Sequence, residues 1–291
     1  MLIRLTRSFL NQIPMTRVKL FVARLLYHLL HAILRKDHHF ICRSGIHYKV
    51  DLSEGIDLSL YLFGNFQSHV ASRRYVTLKD DAIVFDIGAN IGSTVLRFAQ
   101  LAPHGHVYAF EPTDYAFQKL LINLSLNPWL ANRITPVQLF LSDETRADHH
   151  LEAYSSWKVD GRSSNIHPLH GGMLKPAESV QAVTLDDYCL ENEIQRIDLI
   201  KIDTDGHELQ VLAGAKKILA ECLPYIIFEI SLYGLKEQKI EFQQYHSYFT
   251  HFNYTLLNAK NGREINLQNF NSQIPARTTT DIIAVPPDDS I

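Results

Sequence analysis

Val84-Phe85-Asp86-Ile87-Gly88-Ala89-Asn90-Ile91-Gly92 decides the reading of this chain. Apolar, β-forming residues run into a glycine-rich turn. Ser93–Ala102 follow with Val95, Phe98, Ala99 and Ala102 at helical spacing. The turn therefore sits where a strand hands over to a helix, at the strand end where open α/β sheets bind ligands. A dinucleotide fingerprint needs G-x-G-x-x-G, and Asn90 and Ser93 stand where its second and third glycines belong. This argues against a nicotinamide oxidoreductase. No Gly-Lys-Ser/Thr follows, so a Walker A loop also fails. What remains is D-x-G-x-N-x-G. Gly88 and Gly92 permit positive φ and close approach of the backbone to a ligand. Asp86 places an anion beside the turn, unfavourable to phosphate and favourable to an ammonium or sulfonium. The turn suits a cationic, phosphate-free cofactor, as S-adenosylmethionine is. The alternative is a tight turn that binds nothing.

Working outward, short β-rich runs alternate with helical patterns. The expected strands are Ile83–Asp86, His106–Phe110, Val137–Leu141, Asp198–Ile202 and Tyr225–Ile230. The expected helices include 114–126, capped by Thr113, and 207–222. This alternation predicts a mostly parallel sheet with helices on both faces. Tyr254–Leu257 and Asp281–Val285 read as two closing strands with no clear helix between them, which would leave one strand antiparallel. Residues 144–178 read as a long irregular stretch. Trp157, Arg162, Ser163, Ser164 and Asn165 in it would stack on and hydrogen-bond to a polyhydroxylated acceptor, with Gly161, Gly171 and Gly172 as hinges of a lid.

The second expected strand ends in Glu111, placed to grip a ribose diol; a helix-capping acid is the alternative. After the third comes Asp143, placed to accept from an adenine amino group. The fourth ends in Ile200-Lys201-Ile202-Asp203-Thr204-Asp205-Gly206-His207-Glu208, four polar side chains crowded at one sheet edge. Crowded carboxylates raise one another's pKa unless a cation is present. Asp203 or His207 is a candidate to take a proton from a hydroxyl, and the group is also a candidate for a divalent metal. The local alternative has Asp205 capping the next helix, with Glu208 at its positive end and His207 solvated.

The runs Phe85–Gly92, Phe110-Glu111-Pro112, Asp198–Glu208 and Val211-Leu212-Ala213-Gly214-Ala215 together resemble the FkbM-type S-adenosylmethionine-dependent methyltransferases. The resemblance covers roughly Gly64 to Ile230. It implies a class I methyltransferase fold: a Rossmann-like, doubly wound, seven-stranded sheet with an antiparallel last strand. It implies O-methylation of a sugar, glycan or polyketide hydroxyl. Carried over by position, Asp86, Gly88, Asn90, Gly92 and Glu111 bind the cofactor, and Glu229 matches an acid at the end of strand five. Two positions depart from the family pattern: Gln67 stands where a glutamate is usual, and Asp205 where the third motif usually has glutamate. Methyl transfer to an aligned hydroxyl is mostly positioning. The alternative is a cofactor-binding, membrane-associated module without catalysis.

The 291 residues (33.3 kDa) are 46% hydrophobic and 20% charged, enough for a sizeable core and too apolar for global disorder. Cys42, Cys189 and Cys222 are too scattered for a disulfide framework, which points to a reducing, cytoplasmic setting. Residues 1–36 hold seven Lys/Arg and no acid, leaving −10 on the rest. That acidic body argues against nucleic acid as a partner. We expect a basic helical segment over 1–50 and the catalytic domain over 51–291. Residues 18–34 have an amphipathic helical pattern whose longest charge-free run is ten residues, too short to span a bilayer. The helix either packs on protein or lies on an anionic membrane.

Overall fold

The computed structural model of the chain describes residues 17–64, 67, 70, 76, 78–146, 151–155, 159, 173–177, 180–276 and 278–287. Helix α1 (Arg17–Leu34) comes first, with Tyr27 buried and Leu30 and Leu34 packed on the core. Next is an antiparallel hairpin of β1 (His38–Arg43) and β2 (Ile46–Asp51), within the segment read as helical. Its two-residue turn, Ser44-Gly45, has φ of 51° and 79°, the geometry that suits the twist of paired strands. Helix α2 (Gly55–Phe63) ends on Gly64 at φ 79°.

The doubly wound part alternates strand and helix: β3 (Ile83–Ile87), α3 (Ser93–Leu101), β4 (His106–Phe110), α4 (Asp114–Ser125), the short α5 (Pro128–Ala131) and β5 (Ile134–Val137). Four short strands follow: β6 (Phe140–Leu141), β7 (Leu151–Ser155), β8 (Met173–Ala177) and β9 (Ala182–Val183). Then come α6 (Leu185–Glu191), β10 (Leu199–Ile202), α7 (Glu208–Ala213), α8 (Lys216–Cys222), β11 (Tyr225–Ile230), α9 (Leu232–Gln238), α10 (Phe242–His251), β12 (Thr255–Asn258), the four-residue α11 (Phe270–Gln273) and β13 (Thr280–Val285).

The main sheet has seven strands in the order β12-β13-β11-β10-β3-β4-β5. β5, β4, β3, β10 and β11 are parallel, and β13 runs antiparallel to both β11 and β12. This is the class I methyltransferase arrangement. Adjacent residues feed opposite faces, as the period of two requires. Val84, Val107, Leu199 and Ile227 enter one core with α3 and the hairpin. Phe85, Ile200, Ile226 and Phe228 enter the other with α6 to α10. The expected inward residues Val95, Phe98, Ala99 and Ala102 are buried.

Besides the hairpin within residues 1–50, four expectations change. The third sheet strand is 134–137, not 137–141: Phe140-Leu141 leave the sheet to pair with Ala182-Val183. Pro136 lies on the edge strand, where a missing N–H costs nothing. The helix over 207–222 is two helices, broken at Gly214-Ala215. A Cβ on Gly214 would lie 2.1 Å from the Ser142 carbonyl oxygen, and the Gly214 carbonyl accepts from Asp186 N. Thr113 does not cap α4; its hydroxyl donates to Glu111. The stretch 144–178 is not wholly irregular, since β7 and β8 form an antiparallel pair in it. The lid candidates Trp157, Arg162, Ser163, Ser164, Asn165, Gly161, Gly171 and Gly172 lie outside the described residues.

Candidate functional site

The carboxyl ends of β4, β3, β10 and β11 lie side by side, with Phe110 level with Ile87, Ile87 with Ile202 and Ile202 with Phe228. Every candidate site residue but Asp143 therefore falls at, or one turn beyond, one sheet edge.

Asp86 is fully buried, and its charge does not stand alone. Oδ1 lies 3.0 Å from Lys201 Nζ, and Oδ2 accepts from the Thr94 hydroxyl. Lys201 also donates to the Gly88 carbonyl at 3.1 Å and lies 3.4 Å from Asp203 Oδ2. Burial pushes the Asp86 carboxyl up, and Lys201 and Thr94 oppose that. Burial pushes the Lys201 ammonium down, and Asp86 and Asp203 more than reverse it. Lys201 is the site residue that the sequence reading passed over. Its signal was a cation inside an apolar run that had to be a central strand.

Gly88 has φ 79°, and a Cβ there would meet the Asp203 carbonyl oxygen at 1.9 Å. Its need for glycine is thus set by the neighbouring strand end. Gly92 (φ 84°) faces Leu120 Cδ1, 2.6 Å from where a Cβ would be. Asn90 (φ 48°) gives its backbone N–H to Glu111 Oε2 at 3.0 Å. Glu111 Oε1 accepts from Thr113 N and Thr113 Oγ1 at 3.0 and 2.6 Å. Burial raises this carboxyl against those bonds. Three of its roughly four acceptor positions are engaged, which fixes its orientation and leaves one for a ligand hydroxyl. Asp143 is exposed and accepts from the Ser142 hydroxyl at 3.0 Å.

Beyond β10 the chain turns through Asp205 (φ 51°) and Gly206 (φ 115°). Asp203 Oδ2 accepts from Gln67 Nε2 at 3.1 Å, so the glutamine that departs from the family pattern is an amide donor to the site. Oxygens of Asp203, Asp205 and Glu229 all lie within 4.8 Å of one another. Burial, then the charges of Asp203 and Glu208, push Asp205 up to about 8. Burial, then Asp203 and Asp281, raise Glu229 well above the usual carboxylate range. Asp281 is its cross-strand partner on β13. Such a cluster does not stay fully ionised; it takes up a proton or a cation.

The other two polar side chains of the motif, Glu208 and His207, do different work. Glu208 Oε1 accepts from Thr204 N, Thr204 Oγ1 and Gly206 N, closing the loop that carries Asp205. No side chain caps α7. His207 sets its ring edge-on to Phe140, 5.5 Å between centroids, and burial lowers its pKa. The imidazole is therefore neutral at pH 7, and among the described residues it stands outside the Asp203–Asp205–Glu229 group.

The donor set fits a cationic ligand: carboxylates from three strand ends, with one internal cation already shared by Asp86 and Asp203. The methyltransferase FkbM domain model matches residues 86–256. The chain is 30% identical over 160 residues to the 2-O-methyltransferase NoeI of Sinorhizobium fredii, covering 51% of this chain and 64% of that protein. It is 25% identical over 154 residues to the hexuronic acid methyltransferase AglP of Haloferax volcanii (52% and 57%). It is 31% identical over 172 residues to the 31-O-demethyl-FK506 methyltransferase FkbM of Streptomyces tacrolimicus (50% and 63%). Each match spans less than two thirds of the relative's length. A model match over more than half of the chain, carried on the sheet edge that holds Asp86, Glu111 and Asp203, establishes that this chain belongs to the FkbM methyltransferase family.

Proposed function

We propose that the chain is an S-adenosylmethionine-dependent O-methyltransferase whose acceptor is a hydroxyl of a sugar, glycan or similar polyhydroxylated small molecule. The observation that carries this is the acidic rim of Glu111, Asp203, Asp205 and Glu229 at the carboxyl ends of three strands, β4, β10 and β11, of an FkbM-family fold. When bound, the cofactor supplies a methyl group on a positively charged sulfur. Glu111, fixed by Asn90 and Thr113, accepts a ribose hydroxyl. Asp143, exposed after β6, accepts from the adenine amine. Asp86 acts from inside, holding Lys201 and through it the Gly88 carbonyl.

On the acceptor side, Asp203 orients the incoming hydroxyl with one oxygen anchored by Gln67. Asp205 and Glu229 share the proton that the hydroxyl releases. His207, uncharged, is the alternative base. Asp203, Asp205 and Glu229 would also be the ligands of a divalent cation, with the Lys201 ammonium competing beside Asp203. The relative named as a hexuronic acid methyltransferase supports a saccharide acceptor. Three cysteines without a disulfide among them fit a cytoplasmic setting.

The test is transfer of labelled methyl from S-adenosylmethionine to fractionated glycans and glycolipids, with EDTA and with Mg²⁺. Label in a base-stable ether on a saccharide supports the reading. Calorimetry that detects no S-adenosylmethionine binding would sink it. Loss of transfer in EDTA, restored by Mg²⁺, assigns the carboxylates to a metal.

A further inference from the structure

We propose that α1 is a two-sided helix, one side docked on this protein and the other lying on an anionic membrane surface. Its inner side is accounted for: Tyr27, Leu30 and Leu34 belong to the core shared with the hairpin and the sheet. Its outer side is apolar as well. Leu25, Leu29 and Ile33 are 59%, 57% and 67% exposed. At 100° per residue these positions, spaced by four, form one continuous outward stripe. Ala32 lies within the stripe, and Arg24 and His28, both exposed, border it. Phe40, on β1 just after the helix, adds a large ring at 72% exposure.

Isolated exposed leucines are ordinary, whereas an ordered stripe marks an interaction surface. The charge around it selects the occupant. Residues 1–36 carry seven Lys/Arg and no acid, and Arg35 and Lys36 at the helix end are exposed. The first acid, Asp37, is held by His31 at 2.9 Å. A second copy meeting this face by two-fold symmetry would set one basic helix against another. A leaflet of anionic lipid complements both features, with cations at the headgroups and the stripe below them. Among the described residues no helix is long and apolar enough to cross a membrane, which fits a helix lying on the surface. The rest of the chain, at −10, is repelled by the same lipids, so the molecule is held by this face alone.

The experiment is cosedimentation of the full chain with phosphatidylglycerol–phosphatidylcholine vesicles, with pure phosphatidylcholine vesicles as comparison, at low and high salt. We expect binding to the anionic vesicles only, falling steeply with salt. The double variant Leu29→Glu/Ile33→Glu should bind at least about tenfold more weakly with an unchanged melting temperature, because both side chains are exposed. The triple variant Arg24→Ser/Arg35→Ser/Lys36→Ser, which leaves four of the seven basic residues, should bind more weakly and with a shallower salt dependence. Equal binding to neutral vesicles, no binding to anionic ones, or full binding by the double variant would each overturn the proposal. A dimer that the double variant converts to monomer, without vesicle binding, would assign the stripe to a second copy instead.

Discussion

A lysine inside a central parallel strand is tolerated only if its charge is matched, and Lys201 is matched twice, by Asp86 and Asp203. Removing one partner of a buried pair leaves the other uncompensated. Lys201→Met is therefore expected to cost about 3–5 kcal/mol in urea unfolding, and Asp86→Asn added to it should recover much of that. Full additivity of the two changes would mean that they do not form a unit. Gly88→Ala should cost about 3 kcal/mol or more, because φ is 79° and the new methyl meets backbone, not a yielding side chain. Its melting temperature, measured without any ligand, separates this internal cause from a lost ligand contact. The position of both residues was legible in Asp86–Gly92. Their roles were not, because the partner, Lys201, lies more than a hundred residues away and only the sheet register brings it alongside Asp86.

At the scale of elements, the joint between hairpin and domain is made by two asparagines of helix α4 and its end. Asn127 accepts from His47 N and donates to His47 O, while Asn123 accepts from Lys49 N and donates to Ile91 O. β2 thus pairs with β1 on one side and with side-chain amides on the other. Asn127→Ala should cost about 1–3 kcal/mol and speed amide exchange in 46–51 well before the main sheet opens.

Next to it, α2 brings Asp57 under α4, where Lys119 pairs with it and Tyr115 donates to Glu54. Burial, opposed by Lys119, leaves Asp57 at about 6. That value is above the unfolded one, so the folded state holds the extra proton. This group's contribution to stability is greatest at low pH and is lost as pH rises toward 6. Lys119→Met removes the opposition and raises Asp57 further. Its destabilisation, about 3 kcal/mol or more at pH 8, should shrink at pH 5, where the carboxyl is neutral with or without the lysine. A penalty that does not change between the two pH values would refute this. Neither α2 nor the hairpin was read from the sequence. The apolar residues of α2 and β1 match no clear period; β2 does alternate, with Ile46, Tyr48 and Val50 buried, but over only six residues, and Ser-Gly is a weaker hairpin mark than Asn-Gly. The strands and helices around Gly88 were readable because buried parallel strands are continuous apolar runs.

For the whole molecule, the order of strands matters more than their number. β13 enters between β11 and β12, and all six of its residues are buried. Truncation after residue 279 should abolish the cooperative thermal transition of the entire domain, not fray one edge. A truncated chain that melts at the normal temperature would contradict this. The antiparallel pairing was foreseeable from two closing strands without a clear helix between them. The insertion was not, because nothing local in Thr280–Val285 tells a central strand from an edge one. The same insertion sets a schedule for the chain as it leaves the ribosome. At about 5–20 residues per second, β13 emerges tens of seconds after α1. During that interval the sheet lacks the strand that ties β12 to β11, and the parallel part waits with an open edge. The helix with the apolar outer stripe is already outside. The membrane contact proposed for α1 is thus available before the fold is complete, and the site around Glu229 is completed only when Asp281 arrives opposite it.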